Sequence, residues 1–367
     1  MFRRSMAAAT IALAATTLTI GTAAAEASPA AHPVVSAPGY DFTLLGSANL
    51  PGWVNYQGTR VGGFSGIDYD AASGTWYALS SDRSDHQSAR FYSARFDLSS
   101  LNPDSAGPFD VSTLLRQDGT PFPPSDQAGA DLVDPQAIRF DAASGNVVWA
   151  SAGTRTQPAP ADPSVRVAKT DGSFVSQYRV PDVLKPAADG SGLRDGGGLH
   201  GLAMTADGKR VLTAMRTSLA QDGPEVGGPV RLTLHDRGTG NPLVQYAYQP
   251  EAVAGNGVAE ILSVSANRFL VLEQAGQNSA KLYEVNFASG ASNVLAVPSL
   301  AGATYRPVSK RLVLDVSKLG LSSVDNLQGM TWGPALDGGD RSLVLVSDNQ
   351  LQSRKCSQFI AVRVHLS

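Results

Sequence analysis

Asp70-Ala71-Ala72-Ser73-Gly74 recurs, letter for letter, as Asp141-Ala142-Ala143-Ser144-Gly145. Each copy lies between two short apolar runs, residues 64–69 and 76–79 around the first and 137–140 and 147–150 around the second. Asp bonds its own backbone two residues on, and Gly takes the positive φ that closes a tight turn, so each copy reads as a β-hairpin. Three looser copies follow. Residues 202–204 and 211–212 flank Asp207-Gly208, residues 261–264 and 269–272 flank Asn267, and residues 329–332 and 343–346 flank Asp337-Gly338-Gly339. Five matching hairpins predict a β-repeat architecture whose function lies where the repeats converge.

The first strands of the repeats open at Ser65, Gln136, His200, Glu260 and Gln328, spaced by 71, 64, 60 and 68 residues. A third strand candidate follows each hairpin (90–98, 164–169, 230–235, 281–287 and 359–366), and a fourth follows in most, as at 173–179 and 243–248. Apolar and polar residues alternate in 90–96 and 230–234, as half-buried strands require. Four short antiparallel strands per module are the mark of a β-propeller blade. The last module has no room for a fourth strand, and residues 40–45 supply it, so the two termini close the ring and leave no open edge. The expected fold is all-β, a single propeller of five four-stranded blades. The long spacing leaves room for a sixth blade, and two stacked β-sandwiches are the rival.

The 367 residues, 43% hydrophobic, are ample for a large core. With 29 basic against 32 acidic residues, a net charge of −3 and no Lys/Arg run, nucleic acid is not an expected partner. Residues 1–27 read as a secretory signal, bacterial in style. Arg3 and Arg4 precede a small-residue apolar run, and Ala23-Ala24-Ala25 and Ala25-Glu26-Ala27 both fit a cleavage site. That run is too short for a durable membrane span. The expectation is a secreted monomer with no stable membrane insertion, a flexible leader over 28–39 and the propeller over 40–367. Cys356 is the only cysteine, so the core or bound ions, not a disulfide, hold the fold.

Several stretches resemble the family described as esterase-like activity of phytase. They are residues 61–70, 76–83 and 89–92, then 134–138, 307–310, 326–330 and 342–349, in order along nearly the whole mature chain. The resemblance implies hydrolysis of a phosphoester or ester. The family pattern carries Glu where this chain has Gln136, His200, Met215 and Gln328. Carboxylates there would bind a divalent cation or carry protons, whereas Gln offers oxygen without charge. The alternative is therefore a non-catalytic propeller that binds a ligand or partner through a degenerate site.

Read through the repeats, Asp68, Asp82, Asp134, Glu260, Glu273 and Asp348 fall at matching places and converge on one axis. Ionised carboxylates in one cavity need a metal, an arginine or a proton. Asp82, Asp134, Glu260 and Asp348 are the candidate ligands of Ca2+. Asp68, Asp82, His200, Glu273 and Asp348 are the candidate catalytic groups, with Ser65 as a nucleophile for a His200 base. Arg83, Arg90, Arg216, Arg231 and Lys310 are candidate holders of a small anionic or ester substrate, since guanidinium binds oxyanions through paired hydrogen bonds. Of these, Arg90, Arg231 and Lys310 also match basic positions of the family pattern. Gln136, Gln328 and Asn349 complete the substrate set. Turn capping and structural salt bridges account for the same Asp and Arg residues equally well.

Overall fold

The two identical turns close identically. In the computed structural model, which describes residues 32–96, 110–127, 131–156 and 159–367, Gly74 N–H donates to Asp70 O at 2.8 Å, and Gly145 N–H to Asp141 O at 2.8 Å. The Asp70 and Asp141 carboxylates accept the amides of Ala72 and Ala143 and the hydroxyls of Ser73 and Ser144. Both glycines stand at φ 71°, where a side chain would be strained. The motif is a self-contained turn that fixes the register of the strands on either side.

Strands β1 (Val34–Ala37) and β2 (Tyr40–Pro51) precede a small hairpin, β3 (Asn55–Tyr56) and β4 (Thr59–Arg60). The first blade is β5 (Phe64–Asp70), β6 (Thr75–Ser80), β7 (Arg90–Ala94) and β8 (Asp110–Thr113). The second is β9 (Pro135–Asp141), β10 (Asn146–Ser151), β11 (Ser164–Lys169) and β12 (Phe174–Gln177). The third is β13 (Leu199–Met204), β14 (Arg210–Met215), β15 (Val230–Asp236) and β16 (Pro242–Tyr248). The fourth is β17 (Gly257–Ser263), β18 (Arg268–Gln274), β19 (Ala280–Asn286) and β20 (Ser309–Asp315). The last joins β21 (Leu327–Ala335), β22 (Arg341–Ser347) and β23 (Cys356–His365) to β2 and β1.

The protein is a five-bladed β-propeller. Strand β2 pairs with β23 from Asp41 opposite His365 to Pro51 opposite Cys356, so chain-terminal strands close the ring. Residues 34–37, expected in the flexible leader, instead pair with β2 as an outermost strand, because Gly39 at φ 80° folds them back. The expected signal, residues 1–27, lies outside the described residues. Among the described residues no helix is long and apolar enough to cross a membrane.

The core sits between blades. Phe64, Ile67, Trp76, Val344 and Val346 join the last blade to the first, and Tyr77, Leu79, Ile138 and Trp149 join the first to the second. Each buried aliphatic or aromatic side chain contributes about 1.5–3 kcal/mol, and this face-to-face packing brings β5, β9, β13, β17 and β21 together around the axis. Two stacked sandwiches would not bring these five first strands together.

One irregularity repeats in every blade. Where the inner strand pairs with the second strand, the register slips by one residue, leaving Ser65, Gln136, His200, Ala259 and Gln328 as the extra residues. A β-bulge bends its strand and re-aims a side chain. This corrects the sequence register: Ala259, not Glu260, is level with Gln136 and His200, and Glu260 is level with Gly66, Ala137, Gly201 and Gly329.

Candidate functional site at the propeller mouth

Below the bulges the axis is closed. A Cβ on Gly66 would stand 2.9 Å from Ala137 Cα, and one on Gly329 would stand 3.0 Å from Gly66 Cα, so only small residues fit at this level. The exception is Glu260, 0% exposed, whose carboxylate meets the Arg139 guanidinium at 2.9 Å. Arg139 Nη1 donates to Ile67 O and Ile138 O, and Nη2 to Ile261 O and Met330 O, at 2.8–3.1 Å. Glu260 Oε1 accepts the amides of Leu202 and Ile261. One ion pair thus ties all five inner strands. Burial pushes Glu260 up to about 8, against the pull of Arg139 and those two amides.

Above the plug, the bulged residues and the exits of the second strands surround the axial mouth. Gln136 Nε2 donates to Asp134 Oδ1 at 2.6 Å, and Gln328 Nε2 donates to Asn326 Oδ1 at 2.7 Å, the same contact in two blades. Arg216, on the third blade, reaches Gln328 of the last blade, with Nη1 3.4 Å from Oε1. Gly257 makes room for it, since a Cβ there would meet Arg216 Cγ at 2.8 Å. Asp348 leaves β22 at the place where Ser81 and Arg216 leave β6 and β14, and it accepts from Ser81 and from Gln350 N–H.

The charges here are coupled. Burial raises Asp134 to about 6, opposed by Arg83 and Gln136 and assisted by Asp348 and Asp85. Burial also raises Asp348, against the Gln350 amide, the Ser81 hydroxyl and Lys355. His200, 8% exposed, is lowered to about 3 by burial and by Arg216, so its ring is neutral. Its Nδ1 lies 3.3 Å from Gly198 O. A carbonyl only accepts, so the ring proton sits on Nδ1 and Nε2 keeps its lone pair. Among the described residues Nε2 has no hydrogen-bond partner. Arg83 likewise donates no hydrogen bond among them, and its Nε is sealed from water.

The sequence candidates divide by this geometry. Asp134, Asp348, His200, Arg83, Arg216, Gln136 and Gln328 meet at the mouth. Asp82 does not. Its carboxylate accepts the amides of Asp85, His86 and Gln87 and pairs with buried Arg90 at 2.7 Å. Arg231 is held by Asp222 through two bonds of 2.6 and 2.8 Å. Lys310 pairs with Glu273 at 2.5 Å, and Glu273 also takes the Tyr248 hydroxyl and Asn256. Asn349 fixes a loop through Gly63 N–H and Leu351 N–H. Asp68 lies three residues beyond the Ser65 bulge and accepts from Thr331 Oγ1 and Phe140 N–H. Burial raises it, although Arg139 pulls it down.

Ser65 gives its hydroxyl to Pro135 O at 3.0 Å, so the imagined bond between Ser65 and His200 is not made. Met215 is core. Asp131, in the acidic loop over 125–134, pairs with Arg166 at 2.8 Å, and residues 128–130 of that loop lie outside the described residues. The four carboxylates expected to hold Ca2+ do not assemble, because Asp82 and Glu260 are bound to arginines. Among the described residues no group of three or more His, Cys, Asp or Glu stands close enough to hold a metal ion. The donor set at the mouth therefore does not make the charged oxygen cage that calcium takes. Sequence reasoning missed Arg139. Its signal was present, since an arginine inside a buried inner strand needs an acid in another repeat.

The family model for esterase-like activity of phytase matches residues 59–351. The chain belongs to this phytase-like family. No curated protein matches it. Solved structures similar to this phytase-like chain include a β-1,3-galactosidase (12% identity over 85% of this chain and 94% of that one, TM-score 0.45). An exo-β-1,3-galactanase of Phanerochaete chrysosporium matches at 12% identity over 86% and 63%, TM-score 0.47. A periplasmic gluconolactonase of Pseudomonas aeruginosa matches at 13% identity over 81% and 84%, TM-score 0.35.

Proposed function

We propose that this phytase-like propeller is an exported, monomeric hydrolase that cleaves an ester or phosphoester at the axial mouth. The observation that carries the proposal is Asp134, a half-buried carboxyl raised to about 6 beside Arg83 and coupled to Asp348. Two interacting carboxyls with raised affinity for protons can divide the roles of base and acid. Ionised Asp134 takes a proton from water as it attacks the carbonyl or phosphoryl centre. Arg83 and Arg216 hold the oxyanion that develops, from a site where burial strengthens each charge. Protonated Asp348 gives its proton to the departing alcohol. Export rests on the signal read at residues 1–27, and the family supports hydrolysis in general.

The test is turnover of p-nitrophenyl acetate and p-nitrophenyl phosphate by the purified protein, with calcium and with chelator. Asp134→Asn should lower kcat by about 10²-fold or more if the residue is the base. A folded protein inert on both substrates would favour the non-catalytic binding reading, which draws support from the absence of carboxylates among the five bulged residues. Activity that requires calcium would mean that the mouth carboxylates recruit a metal after all.

A further inference from the structure

The pairing of charges bears on what the mouth accepts. A polyphosphate needs several free cations, because each phosphate brings up to two negative charges. Of the five cations expected from the sequence to hold such a ligand, Arg90, Arg231 and Lys310 are locked onto Asp82, Asp222 and Glu273. The two that remain at the mouth, Arg83 and Arg216, share it with Asp134 and Asp348, so the ionised Asp134 offsets part of their charge. The mouth is not a polyanion site.

What it offers instead is donors beside acceptors. Neutral His200 presents an unpartnered Nε2 lone pair next to Arg216, whose one contact to Gln328 is long at 3.4 Å. Asp134 stands beside Gln136 and Arg83, and Arg83 has spent none of its donors among the described residues. A hydroxyl group both donates and accepts, so it is satisfied by an adjacent acceptor and donor, and a phosphate, which only accepts, is not. Burial and the neighbouring Arg216 keep the His200 ring neutral near neutral pH, so Nε2 stays an acceptor there.

We infer that the ligand of this mouth is a neutral polyhydroxylated molecule, a sugar or cyclitol bearing the scissile ester, and not a polyphosphate. This rests on the reading of the mouth as the hydrolytic site and deepens it by naming the alcohol. The matched probes are myo-inositol and myo-inositol hexakisphosphate, one ring with and without charge, titrated calorimetrically into the full-length mature protein. At about 0.15 M salt, myo-inositol should bind at least about tenfold more tightly than the hexakisphosphate. Its affinity should be unchanged when salt is raised. His200→Leu should lose that binding by about tenfold or more, and His200→Gln, which restores an acceptor, should recover part of it, with thermal melts showing that both variants are folded.

Tighter, salt-sensitive binding of the hexakisphosphate would overturn the inference, and so would binding of neither probe. Both outcomes are separable from the hydrolase reading. Turnover of p-nitrophenyl acetate without inositol binding would leave the hydrolase standing and the substrate class refuted. Inositol binding without turnover of any ester would do the reverse.

Discussion

Replacing Arg139 with methionine removes the one side chain that touches carbonyls of the first, second, fourth and last blades while neutralising a glutamate wholly buried on the axis. Taking away one partner of a buried ion pair costs about 3–5 kcal/mol, because the other is left without compensation. Each abandoned carbonyl adds about 0.5–1.5 kcal/mol unless water reaches it. Against a total stability of about 5–15 kcal/mol, Arg139→Met should cost at least about 3 kcal/mol, read as a fall of roughly 5–10 °C in Tm. The double variant Arg139→Met/Glu260→Leu removes both charges and should recover about 1–3 kcal/mol of that loss.

The dependence on pH has a definite sign. Glu260 is raised in the fold to about 8 from an ordinary 4.5, so its contribution is fully present below the lower value and is lost as pH rises through the upper one. The stability of the protein relative to Glu260→Gln should therefore decline from roughly pH 5 to pH 8. Without Arg139 the carboxyl titrates higher still, so the deficit of Arg139→Met should stay level up to about pH 8 and deepen above it, where Glu260 ionises only beside Arg139. Calorimetric melts of the parent, Arg139→Met, Glu260→Leu, the double variant and Glu260→Gln at roughly pH 5, 8 and 10 decide it. An Arg139→Met loss under about 1 kcal/mol, or additivity of the two single changes within about 0.5 kcal/mol, would refute the idea that this pair keys the five blades together.

Gly66→Ala places a methyl 2.9 Å from backbone atoms of the second blade, which cannot swing aside. It should cost about 1–3 kcal/mol in chemical denaturation, whereas Gly238→Ala, with ordinary contacts, should stay within about 0.5 kcal/mol. Asp222→Ala strands fully buried Arg231 and also removes the acceptor of Leu300 N–H. The expected loss is about 3–5 kcal/mol, and amide exchange at Leu300 should quicken. If Asp134 is the base, the acid limb of the pH–rate profile falls near 6. Asp134→Asn should abolish that limb, and a limb that persists in the variant belongs to another group.

The structural pairings show why arginines in strand-exit positions were ambiguous in one dimension. Arg90, Arg166 and Arg231 each begin or enter a third strand, and each meets an acid: Asp82, Asp131 and Asp222. The repeat thus carries its own loop clamp, an ion pair that pins a connection to the third strand. A cation recurring at one place in a propeller blade reads equally as a ligand holder and as such a clamp. Of the five cations expected to hold a ligand, Arg83 and Arg216 break the pattern and make no ion pair among the described residues.

Much of this molecule was legible in the chain itself. Hairpin turns are local, since Asp70 bonds residues two to four places on, so the turn motif announced the repeats, the short last module announced closure of the ring by residue 40 onward, and the spacing left room for a sixth blade. The bulges were half legible. The triplets Ser65-Gly66-Ile67, Gln136-Ala137-Ile138, His200-Gly201-Leu202, Ala259-Glu260-Ile261 and Gln328-Gly329-Met330 align only if Ala259 matches Gln136, and reading charge before pattern moved Glu260 one place out of line. The partner of each charge was settled by tertiary structure alone. Asp82 and Arg90 are 8 residues apart, whereas Arg139 contacts Met330 across 191. In a dry interior an ion pair survives only where the remaining donors and acceptors are also met, and no local pattern records which distant blade will supply them.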